Sequence, residues 1–74
     1  MDISKAEILH LDWKSSRAKK CNYIKMLEDN FYYMYINKEI ITIKDYNSET
    51  IFKGAIDCSD ELNTLMYQLG ITKI

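Results

Sequence analysis

The chain has 74 residues, of which 28% are charged and 47% hydrophobic, with 10 Lys or Arg against 11 Asp or Glu. That length makes one domain with a small core, because so short a chain buries only about 60% of the surface it exposes when unfolded. The composition excludes disorder, and a net charge of −1 excludes a globally basic nucleic-acid binder while leaving room for a local basic patch.

The longest apolar run, Phe31-Tyr32-Tyr33-Met34-Tyr35-Ile36, is far too short to span a membrane. The N-terminus, Met1-Asp2-Ile3-Ser4-Lys5, lacks the charged-then-apolar layout of a signal peptide. The expectation is a cytoplasmic chain without a membrane partner. Cys21 and Cys58 are too few for a disulfide framework and read as free thiols.

The N-terminal third reads two ways. Ser4-Lys5-Ala6-Glu7 fits a capping box that starts a helix. Against it, Leu9, Leu11 and Trp13 alternate with Ile8, His10 and Asp12, which predicts a strand at about 6–13. Ala18, Cys21, Ile24 and Leu27 keep helical spacing, whereas Tyr23 and Ile24 before an Asp29-Asn30 turn favour a strand at about 22–28. Strands at both places are the preferred reading.

Three further strands are predicted at 31–36, 39–45 and 50–56, joined by Asn37-Lys38 and Asn47-Ser48, since Asn tolerates the positive φ of tight turns. These turns pair Met34 with Ile41, Tyr32 with Ile43, and Ile43 with Phe52. One face then carries Tyr32, Met34, Ile41, Ile43, Phe52 and Ile56. The other carries Phe31, Tyr33, Tyr35, Ile40, Thr42, Lys44, Ile51, Lys53 and Ala55. Gly54 falls opposite Ile41, where a missing side chain lets a helix approach.

That helix is the clearest element. Leu62, Leu65, Met66 and Leu69 form one stripe at i, i+3, i+4 and i+7. Ser59 or Asp57 is its N-cap, Asp60 and Glu61 suit its first turn, and Gly70 stops it, giving a helix at about 59–69. The predicted fold is α+β: a small antiparallel β-meander of three to five strands with a C-terminal helix packed on one face.

No residue set points to catalysis. His10 and Asp12 lie two apart on one predicted strand face, but no nucleophile can be placed beside them. Cys21, Cys58 and His10 lack metal-ligand spacing, the two glycines are isolated, and Asp57, Asp60 and Glu61 are explained by the helix dipole. No enzyme, metal or cofactor is expected.

The informative feature is the 31–36 run, because a strand with one wet face alternates apolar with polar residues and this one does not. Its second face meets another part of the chain, a second copy or a partner. Phe31, Tyr33, Tyr35 and Trp13 are the candidate partner-binding residues, since Tyr and Trp are enriched at protein interfaces. The N-terminal segment covering that face with Ile8, Leu9, Leu11 or Trp13 is the competing explanation.

Between Trp13 and Leu27 lie Lys14, Arg17, Lys19, Lys20 and Lys25 without an acid, with Tyr23 among them. Cations beside aromatic rings suit phosphates and bases of a single strand. A solvated charged face explains the same run.

The sequence therefore leads to a small non-enzymatic binding protein that regulates or inhibits a host protein or complex. The surplus of Lys, Ile, Tyr and Asn suits an AT-rich, phage-like or mobile-element source. A single-stranded nucleic-acid module built on segment 14–25 is the alternative, and pairing with a second copy is a third reading.

Overall fold

The computed structural model describes residues 3–17 and 21–71. In chain order these form helix α1 (Lys5–His10), strands β1 (Lys14–Ser15), β2 (Tyr23–Leu27), β3 (Asn30–Asn37), β4 (Ile40–Lys44) and β5 (Thr50–Gly54), and helix α2 (Ser59–Leu69). The strands make one antiparallel sheet in the order β1-β2-β3-β4-β5, with α2 on one side. The α+β meander with a C-terminal helix is as the sequence predicts.

The first element is a correction. The strand expected at 6–13 is helix α1, because the capping box outweighs the alternation. The Ser4 hydroxyl accepts from the Glu7 N–H at 3.2 Å, and Glu7 Oε1 accepts from the Ser4 N–H at 3.4 Å. The chain then reverses at Asp12, which takes a left-handed φ of 73°, a conformation Asp tolerates better than most residues. Strand β2 forms where a strand was expected.

The hairpins form with two changes: the β2–β3 turn is Glu28-Asp29 where Asp29-Asn30 was expected, and the β3–β4 register shifts. Asn37 pairs with Ile40, so Lys38 and Glu39 form the turn, and Met34 pairs with Ile43 while Ile36 pairs with Ile41. The expected pairs were Met34 with Ile41 and Tyr32 with Ile43. The slip amounts to two residues, and side chains alternate with period two, so every residue of β3 and β4 keeps its expected face. Ile43 pairs with Phe52 and Ile41 with Gly54 as predicted.

The 45–49 loop is organised by Asp45, whose Oδ1 accepts from the N–H groups of Asn47 and Glu49 at 2.9 and 3.0 Å. A bulge adjoins the loop, where Ile43 pairs with Phe52 but Lys44 pairs with Thr50. Ile51, expected on the far face, packs against the core instead. Gly54 serves the Phe52 ring and not a helix: a Cβ there would lie 3.1 Å from Phe52 Cζ.

Helix α2 matches its predicted bounds. Cys58 holds the N-cap position without a side-chain bond, so neither Ser59 nor Asp57 caps the helix. Carboxylates replace the cap: Glu61 Oε2 accepts from the Asp57 N–H at 3.0 Å, and Glu7 Oε2 accepts from the Ser59 N–H at 2.7 Å. Gly70 takes φ 74°, and the Ile71 N–H reaches the Met66 carbonyl at 2.9 Å in a Schellman closure.

The core lies between the sheet and the two helices. Ile8, Trp13, Met34, Ile41, Ile43, Leu62, Met66 and Ile71 are all fully buried. Trp13 is 1% exposed, and its Nε1 donates to Met66 Sδ at 3.2 Å.

Trp13→Ala should cost about 3–5 kcal/mol, the usual range for emptying a large aromatic site. Total stability for 74 residues is roughly 4–11 kcal/mol, so the variant should be near collapse in a urea titration. Glu28 and Asp29, the central residues of the β2–β3 turn, both take positive φ, at 49° and 70°. Replacing them by Asn-Gly, the pair this turn favours, should raise stability by about 1 kcal/mol in the same assay.

Candidate binding face

Strand β3 is central in the sheet, and its alternation sorts the apolar run into two sets. Tyr32, Met34 and Ile36 point toward the helices, and Phe31, Tyr33 and Tyr35 point away. Cross-strand partners share a face, so the register extends the second set. Lys14, Ile24, Tyr33 and Lys44 form one row across β1 to β4. Met26 sits beside Phe31, and Tyr35, Thr42 and Lys53 form a second row.

Neither described helix lies over this face. Ile8 of α1 and Leu62 and Met66 of α2 belong to the core on the opposite side. Met26 is 59% exposed and Phe31 43% exposed; Ile40 is also exposed, while Ile24, Tyr33 and Tyr35 are half-buried. The predicted cover by the N-terminal segment fails among the described residues, because Ile8 and Trp13 turn to the other side of the sheet.

The charges at strand positions on this face have one sign, and Asp12 borders it at the groove. Lys14, Lys44 and Lys53 occupy strand positions on it, and no described carboxylate does. Lys44 Nζ stands 5.3 Å from the centre of the Tyr35 ring, a cation–π distance. Burial raises the Tyr35 hydroxyl pKa above its ordinary value, with smaller contributions from Cys21 and Tyr33. Beside Phe31 the face dips into a groove of about 270 Å³, lined by Asp12, Lys14, Ile24, Met26 and Phe31.

The other sequence candidates divide. Trp13, expected to bind a partner, is core. Tyr23, expected beside the cations, is buried on the helix side of the sheet at 9% exposure. Lys25 occupies that same side and is 5% exposed, its Nζ donating to Asp12 Oδ2 at 3.1 Å. Arg17 is exposed, and Lys19 and Lys20 lie outside the described residues. Segment 14–25 is therefore not one basic surface, since alternation in β2 sends Ile24 to the open face and Tyr23 and Lys25 to the core.

Ile24 and Met26 join the face without having been expected there, and Lys44 and Lys53 stand on it as the alternation predicts. Alternation places Lys44 and Lys53 there, but only the register sets Lys44 and Ile24 on either side of Tyr33. No protein-family model, curated protein or solved structure matches the chain.

The Lys25–Asp12 pair has a readable pH signature. The hydrogen bond from Lys25 and its charge hold the Asp12 carboxyl below its ordinary pKa, with Lys14 adding a little. A carboxyl whose pKa is depressed on folding stabilises the fold at pH values above its unfolded pKa, and that contribution is lost as pH falls below about 4. Urea titrations from pH 7 to pH 3 should show this acid loss in the wild type and less of it in Asp12→Asn, which should also be less stable at pH 7. Lys25→Met should be neutral or stabilising at pH 7, because it removes a buried ammonium from an apolar setting.

Proposed function

We propose that this chain is a small non-enzymatic binding protein that regulates or inhibits another protein by occupying it through the open face of the sheet. The observation that carries this reading is that Phe31, Tyr33 and Tyr35 of the central strand share a face that neither described helix covers. Exposed apolar groups grouped in this way are the usual mark of a protein interface. The aliphatic members, Ile24, Met26 and Ile40, favour a protein over a nucleic acid, because aliphatic side chains offer no ring face to a base and pack well into a partner's core.

Single-stranded nucleic acid is the second reading, and one observation supports it. Phe31, Tyr33 and Tyr35 repeat at about 7 Å along β3 with lysines to the sides, a layout on which successive bases could stack. The ends of the face weigh against it. Glu28, Asp29, Asp45 and Glu49 lie in the turns at one end and Glu39 in the turn at the other, so a phosphate chain following β3 meets carboxylates at both ends.

The test is capture of a partner by the wild-type protein and by Tyr33→Ser/Tyr35→Ser, with circular dichroism to confirm that the variant folds. The expected outcome is a defined protein partner whose affinity falls by about tenfold or more in the variant, the loss typical of central aromatic residues. A partner bound equally well by the variant refutes the reading. So does a short single-stranded oligonucleotide that binds at micromolar protein with a steep salt dependence.

A further inference from the structure

The open face has a shape and a charge order that go beyond a generic interface. Its apolar members form a ridge along β2 and β3, with Met26 and Phe31 at one end, Ile24 and Tyr33 in the middle, and Tyr35 at the other. Cations flank the ridge on both sides. Lys14 stands on the β1 side, and Lys44 and Lys53 stand on the β4 and β5 side. Asp12 is the carboxylate that borders the ridge at the groove, and Lys25 holds it at 3.1 Å.

We infer, resting on the binding role proposed above, that the occupant of this face is an amphipathic helix of a partner protein with carboxylates on both sides of its apolar stripe. An apolar sheet face is normally covered by a second layer, and α2 covers the opposite face of this sheet in that way. A helix seated along the ridge sets its i, i+3, i+4, i+7 stripe on the Tyr33 and Ile24 side chains. Its Glu or Asp residues on either side then meet Lys14 on one flank and Lys44 and Lys53 on the other. The groove between Lys14 and Phe31, about 270 Å³, receives one large apolar side chain at the end of the stripe.

Row spacing supports the match. Lys14 and Lys44 stand three strands apart, about 14 Å at the usual strand separation. A helix with its side chains is about 10–12 Å across, so its two polar margins reach both lysines while its stripe stays on the ridge. A lysine-flanked helix of the same stripe meets like charge on both margins.

The test uses three synthetic 18-residue peptides: a leucine stripe at helical spacing flanked by glutamates, the same stripe flanked by lysines, and the glutamate peptide with its stripe scrambled. Each is titrated into the isotope-labelled protein and followed by amide chemical shifts. The expected result is binding by the first peptide alone, with shifts at Ile24, Met26, Phe31 and Tyr33. Lys14→Glu/Lys44→Glu should weaken it by about tenfold or more, as like charge replaces attraction on both margins.

Equal binding of the glutamate and lysine peptides overturns the inference, as do shifts confined to the α2 side or displacement of the peptide by a short oligothymidylate. If none of the peptides binds while a captured partner still depends on Tyr33 and Tyr35, the helix inference falls and the binding role stands. If the captured partner is indifferent to Tyr33 and Tyr35, the binding role falls as well.

Discussion

The structure depends on where Trp13 goes. A chain this short has material for one well-filled core, and a five-stranded sheet has two faces to offer. The turn at Asp12 carries the indole to the helix side, where it is sealed against Met66. Among the described residues its N–H donates to the Met66 sulfur and to no oxygen. A thioether is a soft acceptor, and it satisfies a buried donor that would otherwise cost about 1–3 kcal/mol. Trp13, Ile8 and Ile3 are thereby committed to that side and are withdrawn from Tyr33 and Tyr35.

Two charged contacts hold the arrangement at its margins. Glu7 serves both helices: one oxygen closes the α1 capping box and the other accepts from the Ser59 N–H at the start of α2. That second bond is the main reason its carboxyl sits below its ordinary pKa. It also replaces the cap that Cys58 does not supply. At the sheet edge, Asp12 is both the reversal residue and the counter-ion of Lys25. Lys25 lies in β2 on the core face, with its stem covered and its ammonium meeting a carboxylate that is itself 77% exposed. Local chain reversal and neutralisation of a buried cation thus fall on one residue.

The legible and illegible parts of the fold differ by the range of the interaction that decides them. Helix α2 was readable because its stripe, its acidic first turn and Gly70 are all within reach of one another. The sheet faces were readable even though the β3–β4 register was not, because the turn moved by one position at each strand end and left the parity of every side chain intact. Ile51 escaped, since a bulge breaks that parity and no residue type in the segment announces it. Helix α1 is hard to read because the capping box at 4–7 and the alternation at 8–13 make opposite claims on the residues between them, and a capping box closes two hydrogen bonds that alternation alone does not.

By itself the sequence determined the antiparallel meander, the terminal helix, and the division of the 31–36 run into an inward and an outward set, because strand alternation is a property of the backbone with a period of two. It did not determine what the outward set meets. Trp13, Tyr23 and Lys25 look like surface residues in the sequence and are buried in the fold, while Ile24 and Met26 come across from β2 to stand beside Tyr33 and Phe31. That sorting was decided by tertiary packing: whichever face the helices take must bury its aromatic and even its cationic side chains, and the face left over keeps its rings and its lysines together.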